Sequence, residues 1–122
     1  MLPTAINLSD KLSLFSEQWS PKIIGEMEGF HFKLAKLEGD FVWHSHSDTD
    51  EAFLVVEGQL RIDFRDGAVT LNQGELLVVP KGKEHKPFAA SECHVMILVR
   101  EGTVNTGDAP AKDLTADPGA RI

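Results

Sequence analysis

Gly39-Asp-Phe-Val-Trp-His44-Ser-His46-Ser-Asp-Thr-Asp-Glu51-Ala-Phe-Leu-Val-Val-Glu57-Gly58 is the stretch whose reading decides the fold. Along an extended chain, residues i and i+2 point to the same face. Val42, His44 and His46 then share one face, and Phe41, Trp43 and Ser45 take the other. Two imidazoles side by side on one strand face are costly to bury for packing alone, but they suit a metal held between them. Glu51 opens the next apolar run. The loop Ser47-Asp-Thr-Asp50 is able to fold back and bring its carboxylate to the imidazoles. Two His and one carboxylate with positions left open suit Fe(II), Mn, Zn or Ni.

A second stretch, Gly74-Glu-Leu-Leu-Val-Val-Pro80-Lys-Gly82-Lys-Glu-His85, is an apolar strand ending in a Pro-x-Gly turn. Proline fixes φ and glycine supplies an unusual backbone conformation, so the turn aims the chain that follows. His85 follows Gly82 by three residues and is placed to offer a third imidazole.

The two stretches together resemble the motifs of the cupin superfamily, small single-domain type (cupin 2-like, RmlC-like). The first motif is matched by Gly39, His44, His46, Glu51 and Gly58, and the second by Gly74, Pro80, Gly82 and His85. There are two departures. The gap from Gly39 to His44 is one residue short, and Ala89 stands where the second motif ends in Asn. The resemblance implies a jelly-roll β-sandwich or barrel holding one divalent metal ion per chain (Fe, Mn, Ni or Zn). The metal ligands it implies are His44, His46, Glu51 and His85. It does not fix a reaction, since cupins include oxygenases, isomerases, epimerases, decarboxylases, sensors and storage proteins.

The chain has 122 residues, enough for one domain with a sizeable core. Hydrophobic residues make up 42% and charged residues 25%, an ordinary globular composition. A formal net charge of −7 without a basic cluster argues against nucleic acid and anionic membrane surfaces as partners. Cys93 is the single cysteine, so an intrachain disulfide and a cysteine-based zinc site are excluded. The opening Met-Leu-Pro-Thr-Ala-Ile-Asn lacks the basic-then-apolar pattern of a signal peptide. No apolar run is long enough to span a bilayer as a helix. A cytoplasmic setting is expected.

Leu8, Leu12, Phe15 and Trp19 recur at helical spacing, which predicts a helix over 9–18 capped by Ser9 or Asp10 and ended before Pro21. Short apolar runs then alternate with glycine-containing turns. They predict strands over 22–27, 30–37, 41–46, 52–57, 60–64, 68–71, 76–79 and 93–100, an all-β architecture with a short N-terminal helix. Residues 95–99 are apolar on both faces, so that strand is central or covered by another subunit. The expected organisation is an N-terminal helical segment (1–21), a β domain (22–100) and a C-terminal arm (101–122), draped over the domain and frayed at its end.

Several other residues bear on the site. Phe30 and Phe32 are expected to face the core, which turns His31 outward. His94 reads as a structural histidine and Cys93 as a small core residue. Asp48 reads as a turn former, and Asp50 as a turn former or an acceptor for the N–H of a ligand histidine. Trp43 is expected to pack between sheets or in a dimer seam. The chain contains no tyrosine. Cupin-type sugar epimerases resemble one another in pairing a His with a Tyr, so epimerisation falls down the order of candidates.

The function expected is a metalloenzyme acting on a small organic acid or sugar-like compound, of oxygenase or isomerase type, with Glu51 as a proton acceptor. The alternative is a module that binds or senses a small ligand without turnover. A homodimer is expected, paired through sheet edges, the N-terminal helix with Trp19, and the last strand.

Overall fold

The computed structural model describes residues 1–110 and 112–122. One short helix, α1 (Leu8–Leu12), precedes seven strands: β1 (Lys22–Met27), β2 (Phe30–Asp40), β3 (Glu51–Glu57), β4 (Gln59–Phe64), β5 (Gly67–Asn72), β6 (Leu76–Val79) and β7 (His85–Arg100). A 3-10 turn (Lys112–Leu114) lies in the C-terminal arm. All strand pairings are antiparallel, as an all-β jelly-roll requires. The ladders form an open seven-stranded sheet and do not close into a barrel.

The long strand β7 organises the rest. Most of its length runs against β2, from Phe30↔Arg100 to Asp40↔Phe88, with a register shift between Leu37 and Gly39. On its other side the partner changes midway. The C-terminal half pairs with β3 (Ala52↔Leu98, Val55↔Val95), and the N-terminal half pairs with β4 (Arg61↔Phe88, Phe64↔His85). The chain passes from one partner to the other at Gly58, where φ is 95°. A Cβ there would stand 3.2 Å from the Cα of Cys93 and 3.3 Å from the carbonyl oxygen of Glu92. Glycine is required on both counts, conformation and close backbone approach. Leu37, Phe53, Val55, Leu60, Ile62, Val95 and Ile97 fill the core between the layers.

The strand expected at 93–100 is the buried half of β7, and neighbouring strands of its own chain cover it. Four expectations are corrected. The helix ends at Leu12 and starts from Asn7, whose side chain caps Asp10. The serine hydroxyl of Ser13 then donates to the Asp10 carbonyl and helps stop the helix one turn after it starts. Residues 41–46 form no continuous strand, because β2 ends at Asp40 and only a single bridge, His44↔His85, follows.

The third correction concerns the inward face of β2, which is offset by one. His31, Lys33, Ala35 and Leu37 are buried on it, while Phe30 and Phe32 are half-buried on the other side. Phe30 lies beneath the Arg100 guanidinium. His31 is thus a buried residue beside Glu26, not a surface one.

The end of the C-terminal arm is not frayed. Ile23 donates to the Ala120 carbonyl and accepts from the Ile122 N–H, so the last residues cover the outer edge of β1.

Candidate metal centre

The backbone sets the site before the side chains do. His44 and His85 exchange both backbone hydrogen bonds, at 3.0 and 2.9 Å. Their rings stand side by side with centroids 4.3 Å apart. The Pro80-Lys81-Gly82 turn is pinned to the first motif at two points. Gly82 N–H donates to the His46 carbonyl at 2.8 Å, and Lys81 N–H donates to Asp50 Oδ1 at 2.8 Å. Thr49, buried in the same loop, accepts from the Arg100 N–H and donates to the Asp50 carbonyl. The loop expected to fold back does so, and the hydrogen bonds that anchor it come from residues 31 to 51 positions away in the chain.

The four expected residues converge. His44, His46, Glu51 and His85 are each buried, and each offers a ligand atom within 4.8 Å of the others. The hydrogen bonds also settle which nitrogens face inward. His44 Nδ1 donates to the Val42 carbonyl, and His85 Nδ1 donates to the Lys83 carbonyl, both at 2.9 Å. A carbonyl only accepts, so in the neutral rings each Nε2 carries a lone pair toward the centre. Backbone carbonyls orient these rings, and Asp50 plays no part in doing so.

His85 Nε2 lies 3.1 Å from Glu51 Oε1, and His46 Nε2 lies 3.4 Å from the same oxygen. His46 Nε2 is buried without a hydrogen-bond partner. A lone pair facing a carboxylate oxygen at 3.1 Å is repulsive unless a positive charge lies between them. Burial pulls the His44 pKa down to about 4, and the neighbouring His85 adds to the shift, so this ring is a neutral donor at pH 7. Burial pushes the Glu51 carboxyl up, and only donors and positive charge on its His46 and His85 side outweigh that and hold it at about 2; with neutral rings, the charge has to come from a bound cation. Three imidazoles and one carboxylate, buried together with no other cation beside them among the described residues, fit a divalent metal ion.

A cavity of about 40 Å³ opens against His44 and Glu51. Its walls are mostly apolar, with Phe41, Phe53 and Ile97 among them. Trp19 forms one side and stacks on Phe41 with centroids 4.6 Å apart. Its backbone is left-handed at φ 56°, a conformation costing on the order of 1–3 kcal/mol for a bulky residue. It is held there by its N–H on the Lys36 carbonyl and its indole N–H on the Glu38 carbonyl. Trp19 therefore serves the cavity of its own chain.

The remaining residues stand apart from the centre. His94 is half-buried beside Glu57 and Glu92. Cys93 is in the core, and burial pushes its thiol up to about 11. Asp48 is exposed. Trp43 lies beneath the Arg65 guanidinium, 3.8 Å from its ring centre. Glu26, His31 and Glu101 also bring ligand-type atoms within 4.8 Å of one another. There the guanidinium of Arg121 already bonds Glu26 and supplies the cation.

Sequence reasoning missed the support that the C-terminal arm gives the site. Ser45 N–H donates to Asp108 Oδ1 at 2.7 Å, and Ser45 Oγ donates to Oδ2 at 3.1 Å. Gly107 packs so tightly on this loop that a Cβ would stand 2.3 Å from the Ser45 carbonyl oxygen and 3.1 Å from His46 Nδ1. The arm's low apolar content and many breakers concealed this role, because nothing local signals a contact with Ser45.

Comparison with known proteins decides the family: the cupin domain (Cupin_2) matches residues 30–101. The chain belongs to the cupin domain family. A crystal structure of a cupin-2 domain containing protein from Shewanella frigidimarina NCIMB 400 is 58% identical, covers 76% of this chain and 91% of that one, and superposes with a TM-score of 0.75. The Bacillus subtilis (strain 168) protein YdbB is 41% identical over 64 residues, 52% of this cupin, which spans only 57% of that relative. Hydroquinone 1,2-dioxygenase PnpCD, solved with Cd2+ and 4-hydroxybenzonitrile, shares the fold at 16% identity and a TM-score of 0.65, over 75% of this chain and 70% of that one. The family match includes all four converging residues, but Trp19, Gly107 and Asp108 of this cupin lie outside it.

Proposed function

We propose that this cupin is a metalloenzyme holding one divalent ion through His44, His46, Glu51 and His85, and that it acts on a small organic acid or sugar-like compound by oxygenase- or isomerase-type chemistry. The observation that carries the reading is the contact between His85 Nε2 and Glu51 Oε1 at 3.1 Å, together with the partnerless His46 Nε2 beside it. An ion between those atoms turns three opposed lone pairs into three ligands.

A bound ion of this kind supplies a Lewis acid with positions left for a substrate oxygen or dioxygen. The chain's own residues do the rest. The apolar walls exclude water, Trp19 and Phe41 give a flat surface against which a substrate lies, and Glu51 is the one carboxylate placed to take a proton. The fold shared with a hydroquinone dioxygenase is compatible with this reading but does not choose the substrate.

Self-association belongs to the same proposal. Among the described strands β6 is an edge, and its Leu76 and Val78 are exposed, which is where a second copy would pair. The free buried thiol of Cys93 fits a reducing, cytoplasmic setting. No helix among the described residues is long and apolar enough to cross a membrane.

The test is reconstitution with Fe(II), Mn(II), Ni(II) and Zn(II) separately, following oxygen uptake and product formation over a panel of acids and sugars. Turnover with one metal that disappears in Glu51→Gln supports the enzyme. Stoichiometric binding of an acid or sugar without turnover under any metal supports the non-catalytic module instead.

A further inference from the structure

Lys33 is the feature of the cavity that packing does not explain. It is 4% exposed, on the inward face of β2, in a strand that leaves two phenylalanines on its other side. Burying an ammonium is costly unless its donors are used. Two of them are: Nζ donates to the Pro118 carbonyl at 3.2 Å and to the Thr103 carbonyl at 3.4 Å. An ammonium has three donors, so one is left among the described residues. Lys33 also lines the cavity, as the one cationic side chain there among the described residues.

Its position relative to the metal centre follows from the register. Lys33 pairs with Ile97 of β7, and Ile97 pairs with Phe53 of β3, two residues after Glu51. Lys33 and Glu51 therefore lie on the same inward face, two strand spacings apart, with roughly 10 Å between the strand axes. Apolar side chains, Ile97 and Phe53 among them, line the cavity that both polar groups enter. One end of the cavity thus offers a centre for an electron-rich oxygen and the other an ammonium, with apolar surface between. Room for a water takes about 10–15 Å³ by the same kind of measure, so about 40 Å³ suits a compact molecule of few heavy atoms.

We propose that Lys33 is the substrate-anion receptor of this cavity, and that the ligand class is a small carboxylate with an apolar body rather than a neutral sugar. The proposal rests on the reading of the site as a metal centre and narrows its two substrate classes to one. The two carbonyls that hold Nζ belong to the C-terminal arm, so the arm aims the ammonium as well as closing the cavity wall.

The test uses full-length protein with Trp43→Phe, leaving Trp19 in the cavity wall as the fluorescence reporter. Zinc-loaded protein is titrated with 2-methylpropanoate and with 2-methylpropanamide, which share a shape and differ in charge. Wild-type Lys33 is expected to favour the acid at least tenfold. Lys33→Met is expected to cut that preference at least fivefold while amide binding changes less than twofold.

An unchanged preference in Lys33→Met overturns the proposal, because the zinc alone would then receive the acid. Equal binding of acid and amide by the wild type, or no binding of either, overturns it too. Loss of both probes, with faster hydrogen exchange over 103–122, makes the lysine a structural tether and also overturns it. Failure to take up zinc counts against the metal centre alone. The same titrations without zinc then decide the role of Lys33 separately.

Discussion

Asp108 accepts two hydrogen bonds from Ser45, one from its N–H at 2.7 Å and one from its hydroxyl at 3.1 Å, and so ties the C-terminal arm to the residue between His44 and His46. The hydrogen bond from the Ser45 N–H, above all, holds the Asp108 carboxyl below its ordinary pKa. The two histidines are thereby aimed by a residue well outside their motif. Asp108→Ala is expected to weaken metal binding roughly 10–100-fold, the range seen when the support of a ligand is removed. Competition against a chelating dye measures it. Affinity within twofold of wild type would mean that the loop holds itself.

The double variant His44→Ala/His46→Ala is expected to take up no metal while keeping its fold, because neither ring belongs to the apolar core. Elemental analysis reads the first and far-ultraviolet circular dichroism the second. Metal content equal to wild type in the double variant would remove the ligand assignment.

Gly58→Ala forces a Cβ against the Cα of Cys93 at 3.2 Å in a left-handed backbone. Destabilisation by more than about 1 kcal/mol is expected, since strain and close contact act together. The urea midpoint at unchanged slope reports it. A control at Gly29, where no atom lies within 4 Å, carries the conformational strain alone and is expected to lose less.

Cys93 adds a pH dependence at the alkaline end. Its thiol is raised from 9.0 to about 11 by burial. The folded state keeps the proton while the unfolded chain loses it, so the contribution is intact below pH 9 and is lost as pH rises toward 11. The loss amounts to roughly 2–3 kcal/mol at its fullest. Cys93→Ala is expected to flatten the fall in stability over that window, measured by urea unfolding at a series of pH values. Parallel pH profiles for the two proteins would show that some other group carries the alkaline loss.

Static light scattering at micromolar concentration is expected to give twice the 13.4 kDa chain mass. Val78→Lys, which places a charge on the exposed edge strand β6, is expected to return the monomer. A wild-type monomer removes the dimer, and a dimer that survives Val78→Lys moves its interface elsewhere.

Most of the fold was legible in the sequence because short apolar runs between glycine turns have few other stable arrangements. The four converging residues were legible for a different reason. His44, His46, Glu51 and His85 lie within two local motifs whose spacing is visible in the sequence, although hydrogen bonds between the motifs bring the side chains together. The tertiary structure alone decided the register of β2, and with it the burial of His31 and Lys33. The pattern Phe-His-Phe-Lys reads locally as phenylalanines inward, and only pairing with β7 on one side and β1 on the other reverses it. Likewise, nothing near Gly107 and Asp108 foretells Ser45, nor does anything near Trp19 foretell Phe41. Local preferences act over a few residues, whereas these contacts join chain segments brought together only when the sheet forms. The chemistry of the centre is therefore written in the motifs. The shape and charge of the cavity beside it are set by β2 and the two terminal segments once they pack.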